Sequence, residues 1–288
     1  MTKIDVIMPT WNSNGPYFRE VIRRVSNFVD LHRLIVIDRF SEDGTLEVIK
    51  EIVPRNKLLI IESGCDLARA RYLGIQQVAK PIFAFIDSDV LIPVSWQRRM
   101  ERWMQNERVG AVSSPLCVAE RRQRSSKKPR IIKSCKDLNP YEIIKNGLFQ
   151  MTRGYTFATM IRTNLVTDWN PPTNLSALED LSLSQHIVSK GFLRIEPPEP
   201  CCYHIKELKY GAGVDRYFRQ GLWEGANARI IGIKARHFFL ETCSRTIGGM
   251  LNALVHQDPP SLLNNTFFRA GYLMGFLFPQ KFRVWHRL

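Results

Sequence analysis

The sequence has no apolar run approaching the ~20 residues that cross a bilayer; its longest candidate, Gly271 to Pro279, is short and follows Arg269. A membrane-spanning anchor is therefore not expected. Met1-Thr2-Lys3 leads directly toward a strand, without the apolar core of a secretory signal. No GxGxxG fingerprint and no Walker lysine motif occurs, so the two best-known phosphate loops are missing. The six cysteines, at 65, 117, 135, 201, 202 and 243, include no CxxC pair. Adjacent Cys201 and Cys202 are poorly placed to grip one tetrahedral metal, so free thiols in a reducing compartment are expected. Acid is scarce as well: 27 Asp and Glu stand against 41 Lys and Arg, a formal charge of +14.

What is present is enough for one large α/β core, with or without an appendage: 288 residues, 44% of them hydrophobic. The excess positive charge is concentrated. Between Val118 and Lys136, eight cations (Arg121, Arg122, Arg124, Lys127, Lys128, Arg130, Lys133 and Lys136) face Glu120 alone. Such a run attracts polyanions, whether nucleic acid, anionic lipid or phosphorylated substrate, unless it is only a solvated loop.

The first hundred residues alternate between two periods. Strands are expected at Lys3–Pro9, Leu34–Ile37, Leu58–Ile61 and Pro81–Ile86. Between them lie helical patterns carrying Phe18, Val21, Ile22 and Val25, then Leu46, Ile49 and Ile52, then Asp66 to Ala79. Strands separated by helices imply crossover connections, a mostly parallel sheet and a doubly wound α/β layout with helices on both faces. A helix at Trp96–Asn106, a strand at Val109–Ser113, a strand ending near Arg162 and a short strand with Tyr203 and His204 follow. Ser176 and Glu179 have the spacing of a capping box that opens a helix. From about Tyr210 onward the composition is helical, rich in aromatics and interleaved with Arg269, Lys281, Arg283 and Arg287. Such a stretch suits either a membrane interface or a hairpin packed on its own domain.

The most informative segment is Asp87-Ser88-Asp89, set directly after the uncharged Pro81-Ile82-Phe83-Ala84-Phe85-Ile86. Open α/β sheets place their chemistry beyond the carboxyl ends of their strands. Two acids there are positioned for a hard cation bound to an oxygen-rich ligand such as a diphosphate.

The ordered set of motifs resembles the inverting family 2 glycosyltransferases, which have a GT-A fold. Val6-Ile7-Met8-Pro9-Thr10-Trp11-Asn12 resembles the family's first strand and nucleotide-pocket turn. Val36-Ile37-Asp38-Arg39-Phe40-Ser41-Glu42-Asp43-Gly44-Thr45 resembles its second signature, with Arg39 where a second aspartate is common and Phe40 where glycine is common. Ala70-Arg71-Tyr72-Leu73-Gly74 resembles the helix before the acidic motif, with Tyr72 in place of asparagine. Asp87-Ser88-Asp89 falls in the place of the metal-binding DxD, and Glu179-Asp180 resembles the family's acidic pair. Gln185 stands where many members have arginine.

The resemblance covers roughly residues 3 to 225 and implies the roles that follow. Pro9, Thr10, Asn12, Asp38, Arg71, Asp87, Ser88 and Asp89 line the nucleotide-sugar site; Asp87, Asp89 and His204 are candidate ligands for Mn2+ or Mg2+. Asp180 is the candidate catalytic base, and Glu179 and Trp223 fall on the acceptor side. The implied donor is a UDP-, GDP- or dTDP-sugar. The implied acceptor is a cell-envelope glycan or a lipid-linked species, with polyprenyl phosphate as the alternative. The enzyme is expected in the cytoplasm, in peripheral contact with the inner face of the cell membrane. A transferase domain is expected over 1–208, divided near 115 and carrying the basic loop 118–136, with a helical extension over 209–288. A nucleic-acid-binding protein is the rival from another class. Asp38, Asp87 and Asp89 at the strand ends oppose it, because they repel a phosphate backbone, and no nucleic acid is expected.

Overall fold

Strand β1 (Ile4–Thr10) sits in the middle of a parallel block with β2 (Leu31–Asp38), β3 (Leu58–Glu62) and β4 (Ile82–Ile86), in the spatial order β3-β2-β1-β4. In this computed structural model, residues 2–118, 155–172, 175, 177–197, 200–205, 213–231 and 259–279 are described. All eight cations of the basic stretch lie outside them, as does Ser176.

The period of two along each strand decides which helices it receives. Val6 and Met8 of β1, with Leu34 and Val36 of β2, face one layer. That layer holds α1 (Phe18–Phe28), α2 (Thr45–Ile52) and α4 (Trp96–Met104), through Val21, Val25, Ile49, Trp96 and Met100. Ile7, Ile35, Ile37, Phe83 and Phe85 face the opposite layer, where α3 (Leu67–Ile75) and α5 (Glu179–Ser189) contribute Ala70, Ile75, Leu183 and Ile187. Helix α3 lies so close to β1 that a methyl group on Gly74 would come within 2.4 Å of Ile7 Cγ2.

The strands continue with β5 (Val90–Leu91), β6 (Val109–Ser113), β7 (Leu116–Val118), β8 (Ala158–Arg162), β9 (Leu193–Ile195) and β10 (Cys202–His204). The large sheet has the order β3-β2-β1-β4-β8-β6-β9, with β8 antiparallel to both neighbours. A small sheet, β5-β10-β7, stands apart from it. The chain leaves β1 toward β2 on one side and later returns to place β4 on the other. The switch point of the sheet is therefore the gap between β1 and β4, the place where doubly wound folds leave a crevice for ligand.

Asp5 is wholly buried on β1. It accepts hydrogen bonds from the Ala79 and Lys80 amides at 2.7 and 3.2 Å and contacts His32 Nδ1 at 2.7 Å, so it ties the approach of β4 to the start of β1.

Two expectations need correction. Helix α5 begins at Glu179, with Ala177 and Leu178 outside it and Leu178 at a φ of 65°. A capping box led by Ser176 requires both residues to be helical, so the box does not open this helix. Cys65 and Cys202 are free thiols, but Cys201 is disulfide-bonded, against the expectation of free thiols throughout. Burial pushes the Cys202 thiol up to about 12, which makes it inert.

The chain divides into two compact units, Met1–Pro171 with Asp180–Lys206, and Pro172–Glu179 with Glu207–Leu288. In the second, α6 (Gly213–Ile230) packs on α7 (Pro259–Leu277) through glycines four residues apart on each helix. A methyl group on Gly221 or Gly225 would lie 2.0 Å from the carbonyl oxygen of Phe268 or Tyr272. The same group on Gly275 would meet Leu222 O at 2.0 Å. Backbone is packed on backbone, the small-residue geometry that lets helices associate without a large hydrophobic driving force. Among the described residues, no helix is long and apolar enough to cross a membrane.

Candidate active site

Register brings the first two motifs together. Thr10 ends β1 opposite Asp38, which ends β2, and Thr10 Oγ1 donates to Asp38 Oδ1 at 2.6 Å. Ser41 adds its hydroxyl at 2.7 Å and its amide, to Oδ2, at 2.7 Å. Asp38 is 0% exposed, so its carboxylate organises the turn and these three protein donors occupy it. Ser41 Oγ in turn accepts from the Asn12 amide at 2.8 Å, and Asn12 Oδ1 accepts from the Glu42 amide at 2.9 Å.

The Asp43-Gly44-Thr45 signature is architectural too. Asp43 accepts from Thr45 Oγ1 at 2.5 Å and from the Asn14 amide at 2.8 Å, and Thr45 Oγ1 accepts from the Ser13 amide at 2.8 Å. Burial pushes the Asp43 carboxyl up, but hydrogen bonds from Thr45 and Asn14 outweigh it and hold the group below its ordinary value. The turns after β1 and β2 are thus stitched into one rim. Phe40 holds a φ of 52° on that rim with its ring exposed. Glycine takes that left-handed conformation freely, whereas a bulky residue stores about 1–3 kcal/mol of strain, a recurring mark of functional turns.

On the other side of the switch point, β4 delivers Asp87 and Asp89. Buried Arg71, on α3, holds Asp87 from below, with Nη2 at 3.0 Å from Oδ1 and 3.3 Å from Oδ2 and the guanidinium over the Phe85 ring. Arg71 thus ties α3 to the acidic loop. Ser88 Oγ donates to Ser13 Oγ at 3.0 Å and closes the gap between the two rims.

The small sheet supplies the third group. His204 pairs with Val90 across β10 and β5, which sets its Nε2 2.6 Å from Asp89 Oδ2, although the two residues are 115 positions apart. His204 Nδ1 is buried without a hydrogen-bond partner. Among the described residues, no group of three or more His, Cys, Asp or Glu side chains is arranged to hold a metal by itself. A carboxylate and an imidazole in contact, with a second carboxylate two residues away, fit a divalent cation that takes its remaining ligands from phosphate oxygens and water. The donor set suits Mn2+ or Mg2+.

Asp180 is the second residue of α5 and is buried, with its Oδ1 accepting from the Leu181 amide at 2.8 Å. Beneath it lies a residue that sequence reasoning missed. Arg194, on β9, is fully buried and hydrogen-bonds to Ser113 Oγ and the Tyr155 carbonyl. Burial pushes its guanidinium down to about 10 against the attraction of Asp180, with Arg71 repelling it further. One buried cation therefore senses both Asp180 and the arginine under Asp87. A charge inside Leu193-Arg194-Ile195 was the available signal. Glu179 is also buried, while Trp223 lies half-buried on α6 in the second unit, its carbonyl accepting from Asn227 Nδ2 at 2.7 Å.

Beside the rim opens a cleft of about 160 Å³ lined by Pro9, Thr10, Trp11, Arg39, Cys65 and Asp66, among others. It is the size and position for part of a nucleotide.

Solved structures share this architecture. A mannosyltransferase, PcManGT from Pyrobaculum calidifontis in complex with GDP-Man and Mn2+, superposes with a TM-score of 0.63 at 18% identity, over 96% of this chain and 86% of that one. S. aureus TarS 1–349 in complex with UDP-GlcNAc gives a TM-score of 0.52 at 15% identity, over 94% and 91% of the two chains. At these identities the likeness establishes the GT-A fold. No curated protein matches the sequence significantly. The profile described as "Glycosyl transferase family 2" matches residues 5–166, from the first strand through the acidic motif and β8. With more than half its length inside that profile, the chain belongs to glycosyl transferase family 2.

Proposed function

We propose that this protein is a metal-dependent, inverting transferase that moves a sugar from a nucleoside diphosphate to a cell-envelope glycan or lipid-linked acceptor. The observation that carries the reading is the 2.6 Å contact of His204 with Asp89, beside an Asp87 clamped by Arg71. Asp89 and His204, with Asp87 beside them, would hold Mn2+ or Mg2+, which would neutralise charge developing on the departing diphosphate, an effect worth several kcal/mol. The solved complexes with GDP-Man and Mn2+ and with UDP-GlcNAc support a nucleotide-sugar donor.

The chain's own residues divide the remaining work. Pro9, Thr10 and Asn12 form the floor and rim of the nucleotide cleft, and Asp38 fixes their turn. Ser88 locks that rim to the acidic loop. Asp180 takes the proton from the acceptor hydroxyl as it attacks the face opposite the leaving group. Glu179 and Trp223 belong to the acceptor side. We assign the transferase domain to 1–208, with the basic loop 118–136, and the helical extension to 209–288. Exposed Phe267, Met274, Leu277 and Phe278 on and after α7 support peripheral contact with the inner membrane face.

Calorimetry of nucleoside diphosphate binding tests the proposal. Affinity that is high with Mn2+ and lost with EDTA is expected; equal affinity in both sinks the metal-dependent reading.

A further inference from the structure

Arg39 follows Asp38 on the rim, and the structure gives it a definite posture. Its guanidinium stacks over the Trp11 ring at 4.8 Å, and both side chains line the cleft beside the rim. Trp11 is 61% exposed, a large aromatic surface left open to solvent beside the cleft. Stacking on the indole fixes the guanidinium plane and leaves its N–H edge to donate. Asp66, from the loop after the neighbouring strand β3, lines the same cleft. Its Oδ1 caps α3 by accepting from the Arg69 amide at 2.8 Å, and a carboxylate keeps further acceptor capacity. The cleft therefore offers a fork of donors and an anionic acceptor, over the apolar Pro9, Ile37 and Ala70.

Resting on the nucleotide-sugar reading above, we infer that Arg39 and Asp66 select guanine, so that the donor is a guanosine diphosphate sugar. A guanidinium fork binds two adjacent acceptors, and guanine presents that pair as O6 and N7. Its neighbouring edge carries two adjacent donors, N1–H and N2–H, that complement a carboxylate. Adenine replaces O6 with an amino donor that opposes Arg39. Uracil has one N–H between two carbonyls, so it offers neither the paired acceptors nor the paired donors. Trp11 reads no edge; it holds the fork flat.

The test is equilibrium binding of GDP, UDP and ADP in the presence of Mn2+, to wild type, Arg39→Gln and Asp66→Asn. Asparagine keeps the cap acceptor of α3, and thermal midpoints check that both variants fold. Wild type is expected to bind GDP roughly tenfold to a hundredfold more tightly than UDP or ADP, the scale of one bidentate base contact. Each variant should lose most of that ratio, while UDP binding and its Mn2+ dependence persist. UDP bound as tightly as GDP, or a GDP preference that survives both substitutions, overturns the guanine assignment and leaves the transferase reading standing. Failure of all three diphosphates to bind overturns both.

Discussion

Arg71, 1% exposed on α3, and Asp87, at the carboxyl end of β4, form an ion pair at 3.0 Å that lies directly under the acidic loop. The two acids of the Asp87-Ser88-Asp89 motif are therefore not equivalent. Asp87 compensates a buried cation, whereas the half-exposed Asp89 side chain contacts His204.

That inequality predicts different costs for the same substitution. Asp87→Ala strips a buried guanidinium of its carboxylate and should destabilise the fold by about 3 kcal/mol, at the lower end for a broken buried pair because Asp87 is partly solvated. Asp89→Ala should cost less than about 1 kcal/mol, as exposed pairs do, yet abolish Mn2+-dependent nucleotide binding. Chemical denaturation and calorimetry on the two variants separate the effects; equal destabilisation contradicts the assignment.

Asp180→Asn keeps the size of the side chain and an acceptor for the Leu181 amide but removes the charge that faces buried Arg194, so it should lower stability while leaving donor affinity unchanged. With a sugar-hydroxyl acceptor, turnover should fall ~10²–10⁴-fold with little change in donor KM, because the lost interaction belongs to proton transfer. A polyprenyl phosphate acceptor is already ionised near neutral pH, so the fall should then be far smaller. Steady-state transfer with matched acceptors reads the difference. A loss explained wholly by weaker donor binding would move the base elsewhere, with Glu179 next in line.

In the second unit, Gly225→Leu should separate α6 from α7. The first added carbon would meet the Tyr272 carbonyl at 2.0 Å, and backbone cannot yield as a side chain does. A cost of at least about 3 kcal/mol, the upper end of ordinary overpacking, should show as lost helicity in far-ultraviolet circular dichroism. Unchanged helicity would mean that the pair tolerates a wider crossing.

Asp168 anchors the end of α5 through Lys190 at 2.5 Å and His186 at 3.0 Å, and these partners hold its carboxyl down to about 2. A carboxylate depressed in the folded state contributes stability above its unfolded value, near 4, that is lost as pH falls toward 2. Asp168→Asn should therefore lower the melting temperature slightly at pH 7, and the two proteins should converge near pH 2. The effect should be small because the group is exposed. A difference that persists at pH 2 would point to packing instead of charge.

Much of this molecule follows from local chemistry. Uncharged runs such as Ile82–Ile86 have little alternative to buried strands, and the 3.6-residue spacing of Phe18, Val21, Ile22 and Val25 specifies the face α1 buries. From those elements, in that order, the doubly wound sheet and the position of Asp87 and Asp89 at a strand end could be read without coordinates. The order of short motifs likewise pointed to the family.

Tertiary structure alone decided which groups meet. His204 reaches Asp89 because β10 pairs with β5, two short strands whose partners no local pattern names. Arg194 shows in the sequence only as a charge inside an apolar strand; its significance is the charge of Asp180 and Arg71, brought near it by the packing of three separate elements. The Ser176–Glu179 spacing satisfied a capping rule, yet Leu178 takes a left-handed backbone and the helix starts at Glu179. Periodicity is a property of neighbours along the chain, so sequence determines which face of an element is buried. Which carboxylate finds a histidine, an arginine or a hydroxyl depends on distances set by the whole fold, and those are decided only when the sheet closes around the β1–β4 switch point.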